Sequence, residues 1–159
     1  MSERKRLLDL ADRTYRAHAW HGPALLEALD GVTASLAAKH PVSGVRSIWE
    51  LVEHVASWTE IVARRLEGES PVVTPEFNFP PVRTPTPAAW KASLRRLART
   101  QAHFRRVVAT FPVARLGHRP PHVDYTWNVL IHGQIQHALY HTGQIVLLRR
   151  ALGKPAKPH

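Results

Sequence analysis

His137 and His141 stand four residues apart in the segment WNVLIHGQIQHALYHTGQIVLLRRAL. On a helix that spacing puts two imidazoles one turn apart on the same face, within reach of one divalent ion. The pair is weak on its own: with 11 histidines in 159 residues, about 0.7 such pairs arise by chance. His118 and His122 share the spacing, but Pro120 and Pro121 between them preclude a helix and remove that pair from consideration. What distinguishes His137 and His141 is the stripe they belong to. At about 100° per residue, Leu130, Gln134, His137, His141, Gln144 and Leu148 line one face, apolar at both ends and polar in the middle. A buried polar side chain without a partner costs ~1–3 kcal/mol, so something polar must face this stripe.

A third histidine, His54, lies on the apolar face of another helical segment. Three neutral imidazoles with an open coordination position are a recurring catalytic zinc arrangement. Such an ion keeps its full double charge and would make a bound water or thiol more acidic. The competing reading is a set of core histidines hydrogen-bonded to their neighbours. Cysteine is absent, which excludes disulfides, thiolate metal sites and a protein-borne thiol nucleophile. Gln134 and Gln144 flank the pair at i−3 and i+3 and are expected to contact the ligands from behind. His132 reads as peripheral, Trp58 and Trp127 as core or cleft wall, and Trp20-His21 as packing or cleft mouth.

The elements that must carry these residues are helical. Ser47-Ile48-Trp49-Glu50 reads as a capping box, with the hydroxyl and the carboxylate each serving the other residue's backbone N–H. From there Leu51, His54, Val55, Trp58, Ile61 and Val62 recur on one face until Gly68 permits a left-handed stop. The last helix starts at Thr126 as N-cap and ends at Gly153. A further helix is expected from Pro87 to about Phe111, with Trp90, Leu94, Leu97, Phe104 and Val108 inward, and a first one from about Glu3 to Ala19. A short helix from Pro23 to Leu29 follows, Pro23 suiting its first position. Gly68 to Thr86 holds Pro71, Pro75, Pro80, Pro81 and Pro85 and reads as a connector long enough to cross a bundle; Pro112 to Tyr125 is a second connector. No segment alternates as a strand does. The fold class is all-α, with one domain over residues 1–153 and a loosely packed tail over residues 154–159.

A hydrophobic fraction of 44% and a charged fraction of 21% are ordinary for a globular protein. The net charge of +10 raises nucleic acid as a partner. The basic residues, however, are scattered in pairs such as Arg64-Arg65, Arg95-Arg96, Arg105-Arg106 and Arg149-Arg150, the pattern of solvated helix faces, and nucleic acid is the less favoured partner. The charged start MSERKRLLDLADR lacks a secretory apolar stretch, and no apolar run approaches the ~18 residues of a membrane span. A soluble, cytoplasmic protein is expected.

The segments WHGPALLEALDGV, SIWELVEHVASWTEIVARRLEG and HGQIQHALYHTGQIVLLRRALG, in this order, resemble the DinB-like superfamily of metal-dependent proteins. The resemblance runs from about Trp20 to Gly153 and is most specific in the two later segments. There the family's single histidine matches His54, its H-x-x-x-H pair matches His137 and His141, and Gly143-Gln144 fits the pattern after the pair. The resemblance implies a four-helix bundle of up-down-down-up topology, with a divalent metal, Zn or Ni, at one end of a cleft between helices. It also implies an enzyme in which the metal activates a low-molecular-weight thiol toward an electrophile, since some relatives are thiol transferases or isomerases. The alternative is a metal-stabilised stress-response or binding protein without turnover. A homodimer is an assembly this reading allows.

Overall fold

The computed structural model describes residues 1–121 and 123–156, and among them no strand occurs. Its helices are α1 (Glu3–Tyr15), α2 (Leu25–Leu29), α3 (Ala34–Ala37), α4 (Ile48–Leu66), α5 (Pro75–Asn78), α6 (Pro87–Thr110) and α7 (Trp127–Ala151), with a 3₁₀ turn at Val113–Arg115. The four long helices, α1, α4, α6 and α7, form a bundle.

Local chemistry sets the helix ends. Ser47 Oγ accepts from the Glu50 N–H at 3.2 Å, and the Glu50 carboxylate accepts from the Ser47 N–H at 2.8 Å. Thr86 and Thr126 cap α6 and α7 in the same way, accepting from the backbone N–H groups of Ala89 and Val129. Each cap satisfies a donor that the helix itself cannot, worth ~1 kcal/mol. Gly68 and Gly153, at φ +96° and +68°, take the left-handed turn that ends α4 and α7.

Side-chain ties between helices give the topology. Trp49 Nε1 donates to Ser93 Oγ near the start of α4 and α6, and Gln101 Nε2 donates to Thr59 Oγ1 farther along both. These two helices are therefore parallel. Contacts of Thr59 with Gln134 and of His54 with His137 run in opposite order along α4 and α7, which are antiparallel. Arg105 with Asp12, and Arg4 with the Phe111 carbonyl, set α1 antiparallel to α6. The bundle is thus up-down-down-up, and residues 67–86 carry the long crossover between the two parallel helices.

One half of the core gathers Trp49, Val52, Trp90, Leu97 and Ile145 with α2 and α3. The other gathers Leu7, Phe104, Phe111, Trp127 and Ile131. Burying each large apolar side chain contributes ~1.5–3 kcal/mol, and the two clusters fix the helices on either side of the histidines.

Helices α3 and α5 are not expected from the sequence, and three further features depart from its expectations. Helix α1 stops at Tyr15, four residues short, and His18 adopts φ +62° in the loop that follows. Pro23 precedes the N-cap Ala24 instead of opening α2, and the Glu27 carboxylate accepts from the Ala24 N–H at 2.8 Å. Arg149 does not lie on a solvated face. It is 7% exposed and donates to the carbonyls of Ala28 and Asp30 at 2.7 and 2.8 Å and of Lys154 and Pro155 at 2.9 and 3.3 Å. A guanidinium can enter the interior there because carbonyl acceptors replace its water. It ties the loop after α2 to the end of α7; residues 157–159 of the tail lie outside the described residues. Among the described residues, no helix is long and apolar enough to cross a membrane.

Candidate metal centre

The polar stripe of α7 meets two partners on α4. Gln134 Nε2 donates to Thr59 Oγ1 at 2.8 Å. Thr59, fully buried, also accepts from Gln101 and donates to the Val55 carbonyl at 2.7 Å, so one hydroxyl pins α4, α6 and α7 together. One turn along, His54 faces His137 and His141. The Nε2 atoms of His54 and His137 are 3.0 Å apart, as are those of His141 and His137. His54 and His141 are buried, and His137 is half-buried.

Two of the three rings have their tautomer set by an acceptor on the far nitrogen. His54 Nδ1–H donates to the Asn78 carbonyl at 2.7 Å, and His141 Nδ1–H donates to Gln144 Oε1 at 2.7 Å. A neutral imidazole carries one proton, so both Nε2 atoms present bare lone pairs toward His137. The His54 ring is held further by Phe79, stacked at 4.0 Å between centroids and 8° between planes. Asn78 is held in turn by Trp58, whose Nε1 donates to Asn78 Oδ1 at 2.8 Å.

The arrangement fits a cation. A proton on His137 Nε2 could serve only one of the two bare nitrogens beside it, leaving the other lone pair opposed. His137 Nδ1 is itself buried with no hydrogen-bond partner among the described residues. A single positive ion satisfies all three Nε2 atoms at once, and these ligand atoms lie within 4.8 Å of one another. Acceptors on the outer nitrogens are the usual support of metal-binding histidines. Burial, then the neighbouring imidazoles His141 and His54, push the His137 pKa down to about 4. Burial lowers His54 and His141 as well, against the opposing hydrogen bonds they donate to the Asn78 carbonyl and Gln144 Oε1. All three are therefore neutral at pH 7, the state that ligates.

His54 and His137 also line one end of a cleft of about 460 Å³ between α4 and α7. Trp58, Val62, Val129 and Leu130 wall it, and Arg65 and Tyr125 line it beyond them. Among its described lining residues there is no Asp or Glu.

A family model of the DinB superfamily matches residues 17–145. The chain belongs to the DinB superfamily. Among solved structures, a conserved protein from Enterococcus faecalis is similar at a TM-score of 0.71 and 21% identity, over 97% of this chain and 99% of that one. At that identity the likeness shows the fold. No curated protein matches the chain.

Within this DinB fold, the structure brings His54, His137 and His141 together and, among the described residues, leaves the other histidines out. His132 is half-buried outside the cluster, and His118 is exposed on its connector; His122 lies outside the described residues. Of the two flanking glutamines, Gln144 holds the His141 ring while Gln134 turns to Thr59. Trp58 walls the cleft. Trp127 packs in the core against Phe111 at 5.4 Å. Trp20, fully exposed, and His21 do not line the cleft. Sequence reasoning misses Asn78, Phe79, Arg65 and Tyr125. The first two had one legible signal: Thr74-Pro75 is a capped helix start inside the proline-rich connector, with Thr74 accepting from the Phe77 N–H.

Proposed function

We propose that this DinB protein holds one divalent ion, Zn²⁺ or Ni²⁺, on His54, His137 and His141, and uses it to transfer a low-molecular-weight thiol to an electrophile. The observation that carries this reading is the convergence of the His54, His137 and His141 Nε2 atoms at one end of an apolar cleft that has no carboxylate in its described lining. When bound, the ion would lower the pKa of a coordinated thiol and so supply a nucleophile at neutral pH. The chain supplies no thiol of its own, because it has no cysteine, so sulfur enters with the cosubstrate.

The remaining roles belong to side chains. Asn78 and Gln144 orient the His54 and His141 rings and keep their protons on Nδ1. Trp58, Val62 and Leu130 offer an apolar electrophile a surface to pack on. Three imidazoles leave the ion's double charge unneutralised, which favours an anionic sulfur more than a carboxylate-bearing ligand set would.

The test begins with metal analysis of purified protein and titration with Zn²⁺ and Ni²⁺, followed by thiol consumption in the presence of electrophiles with and without metal. The expected result is one ion per chain and metal-dependent thiol loss that His137→Ala abolishes. Failure to bind either ion at one equivalent overturns the metal reading. Stoichiometric metal with no thiol loss across a broad electrophile panel overturns the transferase and leaves the metal-stabilised binding protein.

A further inference from the structure

Arg65 lies on α4 eleven residues beyond His54, about 16 Å along the axis at the helical rise, and lines the same cleft. It is half-buried, and its Nη1 donates to the Tyr125 hydroxyl at 3.5 Å. Among the described residues it meets no carboxylate. Its immediate neighbour Arg64 does, pairing with Glu69 at 2.7 Å; Arg96 pairs with Glu53 and Glu60, and Arg105 with Asp12. Among the described lining residues, Arg65 is the only cationic side chain other than histidine, separated from the histidines by the apolar stretch Trp58, Val62 and Leu130.

A half-desolvated guanidinium at the edge of an apolar surface is electrostatically stronger than one in bulk water. Its planar fork matches a carboxylate. Tyr125 holds the side chain from one side, so less rotamer freedom is lost when a ligand arrives. We infer that Arg65, braced by Tyr125, anchors a carboxylate at the end of the substrate remote from the reacting centre. The substrate class is then an elongated molecule with an apolar middle and an anionic tail. The inference rests on the proposed metal site for which end of the substrate reacts, while the anchor itself is tested separately.

Zinc-loaded protein is titrated by calorimetry with two series of alkyl hydroxamates of increasing chain length, one ending in methyl and one in carboxylate, the hydroxamate serving as the metal-seeking head. In wild type the carboxylate series should bind ~10-fold tighter at the length that spans the cleft, as a charge-assisted hydrogen bond gives. That advantage should shrink with added salt. Arg65→Gln should erase the advantage while leaving the methyl series and zinc uptake as in wild type, and Arg65→Lys should restore part of it. An advantage absent at every length in wild type, or one that survives Arg65→Gln, overturns the anchor. If wild type takes up no zinc, the metal reading fails by itself. Decanoate against decanol on the metal-free protein then applies the same Arg65→Gln criterion to the anchor alone.

Discussion

The three histidines make different demands on the protein with and without the proposed ion, and the structure assigns different costs to two of them. Consider His54→Ala and His137→Ala, each measured by thermal unfolding in chelator and in excess zinc. His54 gives its Nδ1–H to the Asn78 carbonyl and stacks on Phe79. A hydrogen bond of that kind contributes ~0.5–1.5 kcal/mol and a ring pair ~0.5–1.5 kcal/mol. Losing both lowers metal-free stability by ~1–3 kcal/mol, or about 2–12 °C for a chain of this size. His137 has no partner on Nδ1 and faces two lone pairs on Nε2. Its removal opens space onto a cleft that water can enter, so the metal-free protein should lose less than ~1 kcal/mol. Zinc at a hundred times its Kd stabilises wild type by ~2.7 kcal/mol, about 5–11 °C, and both variants should lose that increment. A metal-free His137→Ala less stable than His54→Ala, or a zinc shift that survives either change, would refute the assignment of partners.

Gln144→Leu removes the acceptor that keeps the His141 proton on Nδ1 and should weaken zinc ~10–100-fold, read by competition with a chelator of known affinity, with helical content unchanged. Metal-free stability should depend on pH in one direction. The three imidazoles are held below the ordinary value of 6.5, His137 down to about 4, so the unfolded state takes up protons first. The stability they contribute is present above pH 6.5 and is lost as the pH falls toward 4. Urea unfolding at several pH values should show this slope, and His137→Ala should flatten it. Arg149→Leu takes the guanidinium donor from the Ala28 and Asp30 carbonyls and should cost ~1–3 kcal/mol for each buried carbonyl bond lost, measured as a fall in melting temperature with zinc affinity preserved.

The parts legible in the sequence were those governed by local rules. The Ser47 capping box, Thr126 and the 3.6-residue period place His54 on a buried face and His137 with His141 one turn apart, and the polar stripe of α7 required partners before any were visible. The parts that were not legible depend on what the chain brings from afar. Asn78 sits 24 residues from His54, and a backbone carbonyl leaves no mark in residue type. Gln134 and Gln144 look alike in spacing, and only the position of Thr59 on α4 separates them. Arg149 reads as half of a surface pair because nothing near it in sequence announces the carbonyls of Ala28 and Asp30.

The crossover joins the logic of the fold to that of the site. Parallel neighbours cannot be linked by a tight turn, so the chain must return the length of α4, 19 residues or about 28 Å of axis. Residues 67–86 could span ~66 Å if extended, more than twice what the connection needs. The surplus is taken up around α5, which lays the Asn78 carbonyl and the Phe79 ring on His54. If connection were its only role, replacing residues 74–79 with a glycine-serine segment of equal length would leave metal binding intact. The geometry gives the opposite expectation: the bundle remains, since none of the α5 residues is buried, while His54 loses its Phe79 stacking partner and the Thr74 cap and Trp58–Asn78 bond that hold the carbonyl of residue 78 against it. Circular dichroism should then match wild type, and zinc affinity should fall ~10–100-fold. Unchanged affinity in the substituted protein would mean that α4 alone orients His54 and that the crossover is a spacer.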